Sequence, residues 1–252
     1  MNKFLIIDGM NLVRRIHAAQ PNESDVSGLK ERVNGACSKL IKFHQPTHAA
    51  IVWDGNAVSW RKALYEDYKK GRKPMPEALA NTLADLKNYL AENQINSIEA
   101  ESEADDVIAT LASKLANING EAIIVSTDKG FSQLNHPNIK QWDHFSQAYL
   151  TIEDMEAKLG IERAQLIDYL ALAGDSGNKI PGVPGIGPKS AVELLKIFRS
   201  LANIYNSIDK VGSKQAKKLE AGKQMARLSY KLVQLQLDIP LNVNLKQFRL
   251  EA

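Results

Sequence analysis

Three aspartates each stand directly after a short apolar run that is rich in β-branched residues. The pairs are residues 4–7 with Asp8, residues 49–53 with Asp54, and residues 123–127 with Asp128. In an open parallel sheet the carboxyl ends of the strands line one edge, and ligands bind at that edge. We therefore expect the three carboxylates to converge. The alternative is that each aspartate only begins the turn after its strand. This explanation is weaker for three aspartates together than for one.

A second group of carboxylates lies in the segment Glu103–Asp106, which precedes an apolar run. The pattern predicts the first turn of an amphipathic helix, on which Glu103 and Asp106 share a face. One alternative is a capping box with Ser102 as the N-cap and Asp105 three residues later. It does not explain why three carboxylates crowd together, where they repel each other unless a cation lies between them. Clustered oxygen ligands without histidine or cysteine favour Mg²⁺ or Mn²⁺ over Zn²⁺.

Residues 60–74 combine cations with aromatic side chains. On a helix, one stripe of the surface would carry both types, namely Arg61, Tyr65, Tyr68, Lys69 and Arg72. Such a stripe can hold phosphates while bases stack on the rings. The alternative is a solvated charged face with i,i+4 pairing, which Glu66 and Lys70 fit. Because the tyrosines lie on the cationic stripe, the pattern favours nucleic-acid binding.

The segment Gly185–Ala191 lies between two helical patterns and contains glycines, which adopt backbone conformations closed to other residues. Pro188 suits the first turn of the following helix, whose free N–H groups would form a phosphate site. The spacing of a Walker loop is absent, and a plain helix–turn–helix connection is the alternative. Further basic residues follow, which would position the protein on DNA without reading its sequence. They are Lys210, Lys214, Lys217, Lys218, Lys223 and Arg227.

The elements that must position these groups change in character along the chain. Strand-like runs lie at 4–7, 49–53, 122–126 and 139–142, and helical patterns lie near 27–43, 77–92 and 103–117. Their alternation predicts an α/β fold with a mostly parallel sheet. After about residue 150 only helical patterns remain. We therefore expect an α/β domain at 1–155 and an all-helical module at 156–252.

Composition limits the function classes. The 252 residues carry a net charge of only +3, so binding to nucleic acid must come from clustered charge. The single cysteine, Cys37, excludes an intramolecular disulfide and a cysteine-based zinc site. No apolar run approaches the ~18 residues that span a membrane, and the run at 4–7 is shorter than the core of a signal peptide. We expect a cytoplasmic protein without membrane contact.

Six motifs, taken in order, resemble those of the 5′ nuclease family, which includes flap endonucleases, phage 5′ exonucleases and the N-terminal nuclease of bacterial DNA polymerase I. They are Ile7–Leu12 with Arg15, Asp54, Arg61–Arg72, Glu103–Asp106, Ser126–Lys129, and Ala173–Ser176 leading into Ile180–Gly187. Each motif alone is modest, but their shared order is highly specific. The match covers roughly residues 4–230, and the length is similar to that of stand-alone bacterial flap endonucleases.

The resemblance implies a PIN-like nuclease domain with a helical arch near residues 60–90, followed by a helix-three-turn-helix DNA-binding module that contains a helix-hairpin-helix. It implies a first Mg²⁺ site, at which Mn²⁺ can substitute, formed by Asp8, Asp54, Glu103, Asp105 and Asp106. Lys69, Arg72 and Arg15 are implied as catalytic groups near the scissile phosphate.

The resemblance also implies how DNA is held. Contacts to DNA are expected from Tyr65, Tyr68, Gly185, Ile186, Gly187, Pro188, Lys189 and Ser190. The hairpin is expected to bind K⁺ through the backbone carbonyls of Leu172, Ala173, Pro181, Val183 and Ile186.

Two acidic positions of the family's second metal site are changed in this chain. Where the family has Asp-x-Asp after the third strand, this chain has Asp128–Gly130, and where the family has Asp-x-x-Asp, it has Asp175–Asn178. The second site, with only Asp128 and Asp175, is therefore expected to be weak.

The expected function is Mg²⁺-dependent cleavage of DNA with 5′ flaps or branches, in replication or repair, by a protein that acts as a monomer. The alternative is a degenerate nuclease that binds branched DNA with little or no catalysis. The enzyme is favoured because the first-site carboxylates, Lys69 and Arg72 are all retained.

Overall fold

The computed structural model describes residues 2–22 and 25–251. The strands are β1 (Lys3–Asp8), β2 (His48–Trp53), β3 (Ser97–Glu99), β4 (Glu121–Val125), β5 (Ile139–Asp143) and β6 (Ala148–Tyr149). The α-helices are α1 (Gly9–Ala18), α2 (Val26–His44), α3 (Trp60–Leu64), α4 (Glu77–Glu92), α5 (Ala104–Asn117), α6 (Ile152–Leu159), α7 (Leu166–Ala173), α8 (Pro188–Phe198), α9 (Leu201–Asn206), α10 (Ser213–Ala221) and α11 (Lys223–Val233).

Contacts within the chain group it into two units, and each unit is built from separated segments. The first contains the residues up to Ala57, Lys73–Leu150, and the residues from Gln236 onward. The second contains Val58–Arg72 and Thr151–Leu235. This grouping differs in two places from the single cut near residue 155, since residues 58–72 join the helical unit and the chain end joins the sheet unit.

The first unit is an α/β sheet with the strand order β3-β2-β1-β4-β5-β6. All neighbouring pairs are parallel except β5 with β6. From β1 the chain adds β2 and β3 on one side of the sheet, and from β4 it adds β5 and β6 on the other side. The strand order therefore reverses between β1 and β4, and their carboxyl ends lie side by side at this point. Ligand sites of open α/β sheets lie at such a point.

Burial on both sheet faces explains why the strands are almost continuously apolar. Alternate residues of the central strands, such as Leu5 and Ile7, pack with buried side chains of α1, α2 and α4 in one core. Helix α5 packs against β1, β2 and β4, and Ile108 and Ala112 of this helix are fully buried.

The second unit is all-helical in its longer segment. Its core combines α7, α8, α9 and α11, with fully buried residues such as Leu172, Leu195 and Ile204. A smaller cluster, in which Tyr68 packs with Ile180 and Leu232, attaches the segment Val58–Arg72 to this unit.

The alternating α/β part and the helical part confirm the predicted fold class. The helix expected through residues 60–72 is wrong, because α3 ends at Leu64 and the backbone up to Pro76 forms turns and irregular structure. Lys69 and Gly71 have positive φ angles there, 56° and 74°, which a helix does not allow. Of the arch expected near 60–90, α3 and α4 are helical. None of the helices in the described residues is both long and apolar enough to cross a bilayer.

Candidate metal centre and nucleic-acid interface

Asp8 lies at the end of β1 and is the N-cap of α1, so strand and helix together fix its side chain. Its Oδ1 accepts a hydrogen bond from the Asn11 N–H at 3.0 Å, and its Oδ2 accepts one from the Ser126 hydroxyl at 2.7 Å. Burial, together with the smaller effect of the Asp54 and Asp128 charges, raises the pKa of this carboxyl to about 6 against the opposing hydrogen bonds. Asp8 therefore lies in the electrostatic field of both other strand-end aspartates.

Asp54 lies at the end of β2 and is tied to the start of α5. Its Oδ1 accepts a hydrogen bond from the Ala104 N–H at 2.8 Å. The next residue, Gly55, donates its N–H to the Ser102 carbonyl at 2.7 Å, and a Cβ at Gly55 would overlap the carbonyl oxygens of Ala100 and Glu101. Glycine is therefore required here, and the close approach brings Asp54 to the carboxylates of α5.

The α5 carboxylates lie around its first turn, as the sequence predicted. Glu103 is the N-cap of the helix, so the capping box with Ser102 as N-cap is wrong. Glu103 and Asp106 are buried, and Asp105 is half-buried. Asp106 Oδ1 accepts the Gln236 N–H at 3.0 Å, a contact with the distant chain end that no local pattern indicated.

Asp128 follows β4 and caps a short 3₁₀ turn, in which its Oδ1 accepts the Gly130 N–H at 2.7 Å. Its own N–H donates to the Ser126 hydroxyl at 3.1 Å, the same hydroxyl that donates to Asp8. Gln141 supports this loop, since its Nε2 donates to the carbonyls of Ser126 and Asp128 at 2.8 and 2.7 Å. No sequence pattern indicated Gln141, because β5 reads Ile-Lys-Gln-Trp-Asp and three of its five residues are polar.

The carboxylates of the first unit are therefore brought to one edge of the sheet, at the ends of three parallel strands and the start of α5. Within residues 2–22 and 25–251, no three side chains of histidine, cysteine, aspartate or glutamate are close enough to hold one metal ion together. The donor set consists of carboxylate oxygens, and the charged form of the Asp8 carboxyl is disfavoured by burial first and by its acidic neighbours in addition. A hard divalent cation fits such a set, because it neutralises this repulsion.

Asp175 belongs to the second unit and lies in a short turn between α7 and the hairpin. Its Oδ2 accepts a hydrogen bond from Asn178 Nδ2 at 2.6 Å, and its Oδ1 accepts one from the Gly177 N–H at 3.0 Å. Arg72 donates from its guanidinium to Asn178 Oδ1 and, at 3.2 Å, to the Gly177 carbonyl. Asn178, one of the two positions that depart from the family pattern, thus links Asp175 to Arg72.

Part of the stripe predicted at 60–74 is buried in the second unit and contributes to its packing. The side chains of Arg61 and Tyr68 are buried, and the Arg61 guanidinium donates to the carbonyls of Leu232 and Gln234 at 2.9 and 2.6 Å. The ring of Tyr68 contributes to the core of the unit, and its predicted contact with DNA stays a prediction. Tyr65 is half-buried, and Lys69 lies with its ammonium 5.1 Å from the Tyr68 ring.

Arg15 lies on α1 in the first unit. Its guanidinium stacks over the Phe145 ring at 4.0 Å and lies 3.9 Å from an Asp143 carboxylate oxygen. Both contacts hold a half-exposed cation near the end of β5. Its predicted role toward phosphate stays a prediction.

The hairpin after α7 is held by close backbone contacts. Gly182 has φ of +65°, and a Cβ there would lie 2.7 Å from the Leu172 carbonyl oxygen. The Gly182 N–H donates at 3.0 Å to the hydroxyl of Ser229, a fully buried residue of α11 that no sequence pattern indicated. The Leu172 carbonyl accepts the Val183 N–H at 2.8 Å, which leaves its second lone pair for a cation.

The remaining predicted carbonyls belong to the same turn. The Val183 carbonyl accepts the Ile186 N–H at 2.9 Å, and the Pro181 carbonyl passes close to Gly174. Lys218 of α10 donates its ammonium to the Gly185 carbonyl at 2.9 Å. A cationic group therefore already contacts the backbone oxygens of this hairpin.

Helix α8 begins as predicted, with Gly187 as N-cap and Pro188 as its first residue. The Gly187 cap supplies no side-chain acceptor, so the N–H groups of Lys189 and Ser190 in the first turn suit an external anion. Lys189 is exposed and Ser190 is half-buried. Of the downstream basic residues, Lys210 ends a 3₁₀ turn, three lysines lie on α10, and Lys223 and Arg227 lie on α11.

The sheet, the carboxylate edge and the helical hairpin unit together define a class of protein. Residues 3–160 match a family described as 5′-3′ exonuclease, N-terminal resolvase-like domain, and residues 161–252 match the 5′-3′ exonuclease, C-terminal SAM fold. The chain belongs to the 5′-3′ exonuclease family.

Similarity to individual proteins is more specific. The chain is 86% identical over 251 residues to Flap endonuclease Xni of Shewanella halifaxensis, covering 100% of both chains. It is 66% identical over 252 residues to Flap endonuclease Xni of Shewanella oneidensis, covering 100% of this chain and 97% of the relative.

Solved structures share the fold. The T5 5′-exonuclease with bound divalent metal ions (zinc) has a TM-score of 0.77 at 22% identity, covering 93% of this chain and 90% of that chain. The bacteriophage T5 flap endonuclease in a pseudo-enzyme-product complex with DNA and metal ions has a TM-score of 0.75 at 22% identity, with the same coverage.

Proposed function

We propose that this protein is a divalent-metal-dependent flap endonuclease that hydrolyses phosphodiesters in DNA with 5′ flaps or branches. The observation that carries the proposal is the convergence of carboxylates at the sheet edge, where Asp8 ends β1, Asp54 follows β2, Asp128 lies after β4, and α5 begins. The identity to curated flap endonucleases supports the substrate class. Cytoplasmic location and action as a monomer belong to the same proposal.

The metal is proposed to be Mg²⁺, with Mn²⁺ as a substitute. Asp8, Asp54 and the α5 carboxylates Glu103, Asp105 and Asp106 would hold it. Magnesium keeps several waters and needs only one or two direct carboxylates besides substrate phosphate, so the other acids act through bound water. When bound, the ion would polarise the phosphodiester and lower the pKa of a water.

The protein's own groups have separate proposed tasks. Ser126 and Asn11 orient the Asp8 carboxylate, and the Ala104 N–H orients that of Asp54. Arg15, Lys69 and Arg72 are proposed to supply positive charge to phosphate oxygens.

DNA binding is proposed to use the hairpin and α8. Gly185–Ser190 would present backbone N–H groups to a phosphate at the start of α8, and the exposed Lys189 would add charge. Tyr65 is retained as a contact to DNA. These contacts read no base sequence, which suits an enzyme selective for DNA structure.

The direct test is cleavage of a 5′-flap duplex by the purified protein with and without Mg²⁺, with products sized on a gel. Cleavage near the branch that requires the metal supports the enzyme. Tight binding to the flap substrate without cleavage at any Mg²⁺ or Mn²⁺ concentration would instead support the degenerate nuclease.

Replacement of one carboxylate separates chemistry from binding. We predict that Asp105→Ala lowers the cleavage rate roughly a hundredfold or more, because loss of one metal ligand weakens the centre, while flap affinity without metal changes little. The matched control is Glu92→Ala, which removes an exposed acid at the end of α4 and should cleave like the parent. Near-parental cleavage by Asp105→Ala would contradict the assignment of the metal centre.

A further inference from the structure

A groove on the second unit is not used by the proposed cleavage reaction. It lies among the start of α7, α9, α11 and the end of α3, and has a volume of ≈ 860 Å³. Sites for ligands and side-chain anchors commonly have volumes of roughly 300–1,000 Å³. The groove is therefore large enough for several side chains of a partner.

The floor of this groove is apolar. Leu64, Leu201 and Leu228 contribute to its lining together with the rings of Tyr205 and Tyr230. Leu64 is 44% exposed, which leaves a large apolar side chain open to solvent at the groove. An accessible apolar surface inside a groove favours an occupant with a bulky apolar side chain.

One wall of the groove is cationic. Lys223, Arg227 and Lys231 follow at intervals of four residues on α11, so they share a face of the helix. All three are exposed and line the groove. Asp168 is the acidic residue among the lining side chains, and burial raises the pKa of its carboxyl. The net field of the groove is therefore positive and complementary to an acidic occupant.

The basic cluster that contains Lys223 and Arg227 predicts contact with DNA, but the groove itself suits a nucleic-acid strand less well. Proteins that bind single-stranded nucleic acid without sequence preference use accessible aromatic rings on which the bases stack. Here both tyrosines are half-buried, the Lys223 ammonium lies 5.4 Å from the Tyr205 ring, and the Tyr205 hydroxyl donates to the Leu219 carbonyl at 3.0 Å. A recessed apolar floor beside a cationic wall matches a peptide better than a strand.

We propose that this groove docks an acidic peptide segment of a partner protein, with a bulky apolar side chain of that segment placed on the floor beside Leu64 and Leu228. The acidic residues would pair with the cations of α11, and the apolar anchor would supply most of the affinity. This docking function goes beyond the proposed nuclease and does not depend on it.

The test uses a fluorescein-labelled synthetic peptide in which aspartates flank a leucine–phenylalanine pair, with binding followed by fluorescence anisotropy. We expect saturable binding to the full chain. Lys231→Glu should weaken it roughly fivefold by repulsion of the aspartates, and Leu64→Ser should weaken it by a similar factor through lost apolar contact. Lys158→Glu, which makes the same charge change at an exposed position of α6 outside the groove, should bind like the parent.

Two results would overturn the proposal. One is that Lys231→Glu, Leu64→Ser and the Lys158→Glu control all bind the peptide with the same affinity. Absence of binding in all three proteins counts as the same result. The other is binding that survives when glycines replace the leucine–phenylalanine pair, which would show charge attraction alone.

A single-stranded oligonucleotide is the remaining control. If it displaces the peptide, and if Lys231→Glu and Leu64→Ser both weaken its binding, the groove is a nucleic-acid surface and the proposal is wrong. Flap cleavage is measured on the same proteins and is expected to be unchanged. Because peptide binding is measured separately, its result can be interpreted even if the protein does not cleave DNA. Matching melting temperatures exclude unfolding as a cause.

Discussion

At the scale of single residues, the two departures from the family's acidic pattern have different surroundings. Gly130 donates its N–H to Asp128, and a Cβ at this position would lie 3.1 Å from Asp128 Oδ1, which is tight but open to adjustment. Asn178 donates its amide to Asp175 and accepts from Arg72. An amide can donate one hydrogen bond and accept another, whereas a carboxylate at this position would place a second negative charge beside Asp175.

The double variant Gly130→Asp with Asn178→Asp tests whether these positions limit metal use. We predict half-maximal cleavage at a lower Mg²⁺ concentration than in the parent, because added carboxylates bind a hard cation that otherwise stays mostly water-bound. The measurement is the flap-cleavage rate over a Mg²⁺ titration. An unchanged titration by a folded double variant would show that these positions do not govern the second metal.

At the scale of elements, the hairpin between α7 and α8 is shaped by crossing backbones. Gly182 passes so close to Leu172 and Gly174 that a side chain cannot be placed there. Ser229 and Lys218 then hold the turn from α11 and α10 through its N–H and carbonyl groups. The same packing gathers backbone oxygens, which are the ligands that K⁺ takes in proteins.

We predict that DNA affinity is higher in K⁺ than in Na⁺ at equal ionic strength, because a cation of fitting size holds the turn in shape ahead of α8. General salt weakens binding equally for both ions. Gly182→Ala should abolish the difference by displacing the carbonyls. Gly212→Ala, where a Cβ meets open space, should keep it. Equal affinities of the parent protein in both salts would refute the potassium site.

At the scale of the whole molecule, folding buries one histidine that must stay neutral. His44, at the end of α2, packs edge-on against Phe43 and Trp142 with ring centroids 4.8 Å away in each case. Desolvation, followed by the positive charge of Lys3, lowers its pKa from 6.5 to about 4. Between these values the unfolded chain binds a proton that the folded chain excludes, so stability falls as the pH falls through this window.

We predict that His44→Gln reduces the loss of stability between pH 6.5 and pH 4 by about 1–3 kcal/mol. Urea unfolding at several pH values, compared between variant and parent, gives this difference. The comparison is needed because Asp8, whose pKa is raised, changes stability in the opposite direction over part of the same range. Parallel stability curves for the two proteins would contradict the assignment to His44.

The sequence by itself determined the α/β class, the positions of the strands that end in aspartate and the acidic start of α5. These features follow from local periodicity and from the rule that parallel strands end at one edge. It missed β3, which has only three residues, and the helix α1 directly after Asp8. A strand of three residues is too short for an alternating pattern to show.

Only the tertiary structure decided how distant segments combine. Residues 61–72 have helical spacing, yet α3 ends at Leu64, and burial of Tyr68 against Leu232 favours an irregular chain beyond it. The bond between Asp106 and Gln236 joins residues far apart in sequence. Such contacts depend on which surfaces meet after folding, and packing of this kind overrides local propensity.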